Sequence, residues 1–366
     1  MAKIRPYVFL LSTLLFSLVI SPSLSLTGTL ISSYGTVDYP VPGFLEVENG
    51  TLYKDGRPFV IRANNYDNAL GTYLAYQVNI VDQAITECKT YGFGGVRTWA
   101  TGTGGEQEAV YSLWRSDPVE LFRRFDEFIQ ICKSNNVGLV ITLGVVAFFQ
   151  RGGGNLGDPN SGAYALYKEW VTQVCSRYRN EPTILFWEIL NEYEYSGEPF
   201  GLVRAFNENA ARDIKAADPN HLVSSGSGNW GYNTDNWNLC NGAIGVDIAS
   251  VHIYSDEVEN MLYWRSGWPS YELVKEFILQ WKERAEALGK VMFFGELGGD
   301  VGYDYATNTT ANPDNQIFIW CLQAIYEIRE NYGFHGFRSG ACTDKYAIVP
   351  EHNPQTIDAF KQYNGI

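Results

Sequence analysis

Positive charge is scarce in this chain. Of its 366 residues, 27 are Lys or Arg and 41 are Asp or Glu, giving a formal charge of −14. No basic run lies outside the N-terminus, which argues against nucleic acid as a partner. Phosphate-binding loops are missing too. No GxGxxG occurs and no Gly-rich loop opens the first helix, so no nucleotide cofactor is implied. No G-x-S-x-G elbow occurs either, since the stretch around Ser227 reads SGSGN; this speaks against Ser-His-Asp hydrolysis. The six cysteines, Cys88, Cys132, Cys175, Cys240, Cys321 and Cys342, are far apart and show no metal-ligand spacing. Their disulfide pairing is left open, and several suit buried positions in helices. Asp67, Asp82, Asp300 and Asp304 make no metal constellation, and GDVGYDY lacks EF-hand spacing. No metal and no other cofactor is expected. Nor is there an obvious linker, low-complexity tract or second domain.

The one membrane-like stretch is at the start. Lys3 and Arg5 precede Val8 to Ile20, 13 mostly apolar residues, and Ser23 and Ser25 suit the −3 and −1 positions of a cleavage site. The run is short for a membrane span. Residues 1–25 are therefore read as a signal peptide and 26–366 as one catalytic domain, secreted, extracellular and monomeric, with no membrane contact after cleavage. Removing Lys3 and Arg5 takes the formal charge from −14 to −16. An uncleaved anchor is the alternative. Sequons at Asn49-Gly50-Thr51 and Asn308-Thr309-Thr310 are candidates for glycosylation.

What is abundant is apolar and aromatic. The chain is 45% hydrophobic, with 10 Trp and 24 Tyr. It can bury a large core, and its rings can stack on sugars as well as fill cores. Phe44 to Phe59 carries the turn pairs NG and DG, which predict a hairpin capping the bottom of the main fold. Strands are then expected at Val60–Asn64, Gly95–Trp99, Val137–Leu143, from Thr183, His221–Ser225, Asp247–Tyr254, Val291–Gly295 and Phe334–Ser339. Helical spacing predicts helices at 79–91, 118–135, 164–178, 202–217, 270–288, 314–332 and 354–363. The link after the fifth strand shows no long helix. Alternation of this kind favours a (β/α)8 TIM barrel with an N-terminal β-hairpin.

In such a barrel, chemistry collects where strands end. Those ends carry Asn64 and Asn65, Arg97 and Trp99, Asn191 and Glu192, His252 and Tyr254, then Glu296. Glu192 ends the apolar run TILFW and suits a proton donor; Asn191 suits a substrate hydroxyl. Glu296 follows VMFFG and should face the mouth from across the barrel. Two carboxyl groups on one cavity suit glycoside hydrolysis. A nearby Arg97 would keep Glu296 anionic, Tyr254 would hydrogen-bond it, and His252 would support the site. A plain buried Arg97–Glu296 ion pair is the structural alternative. Glu188 and Glu194 are weaker acid candidates, and Asp247 belongs at a strand entrance. Trp230, Trp237, Trp264 and Trp268 fall in expected loops and together predict a platform for a long sugar polymer.

These residues resemble glycoside hydrolase family 5, especially its β-mannanases, over about residues 42–340. The carrying stretches are YRNEPTILFWEILNE (178–192), DIASVHIYSD (247–256), GVRTW and FFGELG. The resemblance implies a retaining, cofactor-free enzyme acting on β-linked mannans or glucans. It implies Glu192 as acid/base, Glu296 as nucleophile and Asn191 on the sugar 2-hydroxyl, with Arg97, His252 and Tyr254 supporting. Two segments depart from the pattern. LGVVAFFQRGGG puts Phe148 or Phe149 after strand three and lacks the amide, and HGFRSGACTD puts Phe337 and Arg338 where the family has a Trp, which makes Phe337 the expected substrate-binding ring there. The expected activity is internal cleavage of β-1,4-mannosidic bonds. Cellulase or exo-β-mannosidase action, or a carbohydrate-binding barrel without turnover, are the alternatives.

Overall fold

The computed structural model describes residues 29–32, 35–38, 43–228, 233–312, 315–338, 342 and 344–365. The expected signal peptide lies outside them. Short strands Thr29–Ser32 and Gly35–Asp38 pair antiparallel. Then come Leu45–Glu48, Thr51–Lys54 and Arg57–Pro58, a three-stranded antiparallel sheet where the sequence predicts the hairpin. Asn49 and Gly50 both sit at positive φ, as do Asp55 and Gly56. A tight two-residue hairpin turn requires that geometry.

Eight parallel strands come next and close into a barrel. They are β1 (Arg62–Asn65), β2 (Gly95–Trp99), β3 (Gly138–Thr142), β4 (Ile184–Glu188), β5 (Leu222–Ser224), β6 (Ile248–Tyr254), β7 (Val291–Gly298) and β8 (Asn331–Phe334). Closure runs through Tyr332 opposite Arg62. Inside the barrel, Val140, Phe186, Ile248, Val291 and Phe293 form one apolar cluster, and Leu45 and Leu52 of the hairpin sheet seal it from below. The second, larger core lies between the strands and the outer helices. All six cysteines are buried free thiols.

Three features depart from the sequence expectations. The Gly-rich stretch after β2 is a helix, Gly104–Ser116, started by a capping box in which Thr103 and Glu106 satisfy each other's backbone N–H. A second unexpected helix, Ala69–Tyr76, follows β1. The link after β5, where no long helix is expected, holds the short helix Thr234–Asn241. The helix expected over 314–332 ends at Glu327, Arg329 turns left-handed at φ 54, and β8 begins three residues earlier than Phe334. Asn331 starts that strand because its side chain binds the barrel. Its Oδ1 accepts from the Ile61 amide at 2.9 Å and its Nδ2 donates to the Met292 carbonyl at 3.1 Å.

Candidate active site

The C-terminal strand ends converge on Arg97. Its guanidinium is fully buried in the middle of β2, and each arm has a partner. Nε donates to Glu188 Oε2 at 2.6 Å, NH1 to Glu296 Oε1 at 3.1 Å, and NH2 to Asn191 Oδ1 at 2.8 Å. Asp67 Oδ1 lies 3.7 Å from NH1. A buried cation is tolerable only when it is paired in this way. The Arg97–Glu296 ion pair is thus real, and it lies inside the polar mouth rather than apart from it. Glu188 is fully buried, and its Oε2 also accepts from Thr142 Oγ1 at 2.9 Å. It anchors Arg97.

Glu192 leaves β4 in a left-handed conformation, φ 50 and ψ 46. Few residues other than Gly adopt it, so the surroundings must hold it. Its amide donates to the Gly226 carbonyl at 2.9 Å. The side chain stays 30% exposed, and Oε1 is 2.7 Å from His252 Nδ1. A Cβ on Gly228 would lie 2.8 Å from that same Oε1, so glycine makes room for the carboxyl.

Glu296 is re-aimed by a bulge. Val251 on β6 pairs with Phe294, but His252 pairs with Glu296, so Gly295 is an extra residue in the ladder. A Cβ there would fall 2.7 Å from Ser250 Oγ and 2.9 Å from His252 Nε2. The Glu296 side chain is only 6% exposed. Its Oε2 accepts from the Tyr254 hydroxyl, with His252 Nδ1 at 3.4 Å. One imidazole nitrogen therefore stands between the two carboxylates. One ligand atom from each of Glu192, His252 and Glu296 lies within 4.8 Å of the others. These are also the residues whose types could hold a divalent cation.

The electrostatics separate the groups. Burial pushes the Glu296 carboxyl up, yet His252, His335, Arg97 and the Tyr254 hydroxyl outweigh it and hold it well below the usual carboxylate range. Burial alone would lower His252, but Glu296 and Glu192 raise it. Burial, then Glu296, pushes the Tyr254 phenol far up, so it remains a donor. Glu194, 4% exposed, is pushed by burial up to about 7.

Trp99 ends β2 half-buried, and its Nε1 is buried without a hydrogen-bond partner among the described residues. Trp264 lies on an extra helix, Ser255–Ser266, not in a loop, and is 84% exposed beside Tyr263 and Trp268. Trp230 lies outside the described residues. Two aromatic expectations are corrected. Trp237 is buried, donates to the Ser250 carbonyl at 2.8 Å and packs edge-on against Trp281. Phe337 is 1% exposed, stacks on Tyr91 and sits edge-on to Phe334, so it fills core and cannot bind substrate from the cleft. The residue just past β8 that reaches the mouth is His335, with Nδ1 3.5 Å from Asp67 Oδ2. Neither His335 nor the role of Asp67 is visible from sequence. Once β8 is known to end at Phe334, His335 becomes its strand-end residue. A separate hollow of about 420 Å³ at the opposite end, lined by residues such as Gly43, Phe59, Arg62 and Pro182, contains no carboxylate or histidine.

Residues 53–330 match the family Cellulase (glycosyl hydrolase family 5). The chain belongs to glycosyl hydrolase family 5. Family membership and the Glu–His–Glu cluster together make it a hydrolytic enzyme acting on carbohydrate. Among curated relatives of this family 5 protein is mannan endo-1,4-beta-mannosidase 8 of Oryza sativa subsp. japonica. It is 28% identical, with the alignment covering 86% of this chain and 96% of the relative. The endo-1,4-beta-mannanase of Rhizomucor miehei shares the fold at a TM-score of 0.63 and 20% identity, covering 87% of this chain and 99% of that one. An endocellulase from Pyrococcus horikoshii shares it too, at 0.59 and 12% identity, over 89% of this chain and 100% of that one. The family 5 fold is therefore common to both activities.

Proposed function

We propose that this family 5 protein is an endo-β-1,4-mannanase that hydrolyses mannans and related hemicelluloses with retention of anomeric configuration. The observation that carries the mechanism is the closeness of Glu192 and Glu296, with oxygens within 4.8 Å. Retaining enzymes space their carboxyl groups by about 5–5.5 Å, and inverting ones by about 6.5–9.5 Å to admit a water. Glu296, held anionic by Arg97, His252 and Tyr254, attacks the sugar C1. As the C1–O bond breaks, Glu192 gives its proton to the leaving oxygen. Glu192, now a carboxylate, then takes a proton from water, whose oxygen attacks C1 and frees Glu296. The division of roles follows exposure: Glu192 is open enough to exchange protons, whereas Glu296 is nearly enclosed. With Oδ1 engaged by Arg97, Asn191 keeps its Nδ2 donor for the sugar 2-hydroxyl. Trp99 and Trp264, with Trp230, are assigned to binding of the chain along the cleft.

The mannan assignment draws on the rice relative, whose alignment with this chain is nearly full length. A mannosyl unit carries its C2 hydroxyl axially and a glucosyl unit equatorially. A site built around one placement penalises the other. Cellulose cleavage is the second reading, favoured by the fold shared with the endocellulase. Secretion after removal of residues 1–25, one catalytic domain and a monomeric state complete the proposal. No helix among the described residues is long and apolar enough to cross a membrane. The test is a panel of undecorated mannan, glucomannan, galactomannan and carboxymethylcellulose with chain-length analysis of products. Internal cleavage of the mannans with little attack on the cellulose derivative is expected. Preferential cleavage of cellulose would overturn the substrate, and release of mannose alone would overturn the endo action.

A further inference from the structure

Among the described residues, His335 is an imidazole at the mouth that the proposed mechanism leaves unused. Its amide donates to the Leu297 carbonyl at 3.0 Å, which fixes it level with Glu296 on the neighbouring strand. Its ring stands edge-on to Tyr254, centroids 6.0 Å apart at 81°, and Tyr254 is the donor to Glu296. Both His252 and His335 help to hold Glu296 anionic. Only one of them opens outward, since the His335 side chain is 16% exposed and that of His252 1%.

Asp67 stands behind the ring. It is 7% exposed, its Oδ2 lies 3.5 Å from His335 Nδ1, and its Oδ1 is buried without a hydrogen-bond partner among the described residues. A carboxylate behind an imidazole fixes the ring's orientation and tautomer and directs the far nitrogen elsewhere. Here Asp67 faces Nδ1, so Nε2 is the ring nitrogen turned away from that carboxylate. The aromatic side chain of the same segment, Phe337, is sunk in the core and offers no stacking face there. Strand β8 thus brings a hydrogen-bonding ring to the sugar site rather than an apolar platform.

We infer that His335, oriented by Asp67, is a sugar-binding residue of the subsite over Glu296 and hydrogen-bonds a hydroxyl of the glycosyl unit being transferred. The inference rests on the proposed function in taking a β-linked sugar as the ligand. A stacked ring separates epimeric sugars weakly, whereas a hydrogen bond to a hydroxyl separates them sharply. His335 is therefore a specificity-determining contact, with Asp67 as its positioning residue.

The test compares wild type with His335→Ala, His335→Phe, His335→Gln and Asp67→Asn on mannohexaose and cellohexaose, together with thermal midpoints. His335→Ala and His335→Phe should lower kcat/KM on mannohexaose by about tenfold or more. His335→Gln, which can still donate, should recover part of the loss, and thermal midpoints should stay close to wild type. Equal kinetics in all variants, or equal losses that track a fall in thermal midpoint, would overturn the inference. A second arm needs no turnover: in the Glu192→Gln protein, the His335 imidazole resonances, assigned by their absence in Glu192→Gln/His335→Gln, are followed as mannohexaose is added. Movement of those resonances supports the contact even if wild type cleaves neither hexaose, an outcome that would reject only the proposed function. Cleavage by wild type with unmoved His335 resonances would reject the contact and leave that function standing. Neither cleavage nor movement would reject both.

Discussion

Glu192 and Glu296 are both glutamates, yet their surroundings divide them. Glu296 has a cation, a phenol and an imidazole around it, whereas Glu192 has one imidazole and open solvent. Glu192→Gln should lower kcat on mannan about 10²–10⁴-fold by removing the proton donor. Glu296→Ala should abolish turnover to at least that extent, because no other carboxylate occupies its position. Steady-state kinetics on purified variants measures both. Glu194 tests a different property. Its folded value of about 7 lies above the ordinary carboxyl value. Such a group supports the fold fully below its unfolded pKa and loses that contribution as pH rises through the folded one. Glu194→Gln should therefore be more stable than wild type by about 3 kcal/mol above pH ~7, with the gain shrinking as pH falls from ~7 and gone below pH ~4. Denaturant melts at pH 4, 6 and 8 report the difference; a gain that grows towards low pH would refute it. Most of this neighbourhood is legible in the sequence, because a polar residue after an apolar strand run has one natural place in a barrel. Asp67 and His335 are not, since one sits in the turn between β1 and an unexpected helix and the other sits close behind a helical periodicity that hides the start of β8.

The element that aims the chemistry is the bulge in β7. Gly295 is the inserted residue, and it borders Ser250 and His252 too closely for any side chain. Gly295→Ala should destabilise the fold by about 1–3 kcal/mol through overpacking. It should lower kcat further than this loss explains, by shifting His252 away from the carboxylates. Thermal melts and kinetics on the same preparation separate the two effects, and wild-type kinetics would exclude an aiming role for the bulge. Strand runs are legible here because VMFFG and TILFW are apolar on both faces, as parallel barrel strands must be. The bulge is not, because it depends on the register of the neighbouring strand. Helix Gly104–Ser116 hides behind its glycines, although Thr103 and Glu106 already carry the capping-box spacing. The start of β8 is missed because Asn331 enters the strand through side-chain hydrogen bonds to two neighbours, which periodicity cannot register.

Across the whole molecule, eight short strands bring groups far apart in sequence to one mouth, and an antiparallel sheet seals the other end. Alternation of strand and helix makes the barrel legible, because repeated βα units have few other ways to bury both faces of a parallel sheet. Secreted material should begin at Leu26 and sediment as a monomer. N-terminal sequencing and sedimentation velocity check this, and retention of Lys3 and Arg5 would mean an uncleaved anchor. The measurement closest to the central claim is proton NMR of the first product released from a β-1,4-mannooligosaccharide, recorded before mutarotation. The paired glutamates should release the β-anomer at the new reducing end. Release of the α-anomer would mean that water attacks C1 directly and that Glu296 is not the nucleophile.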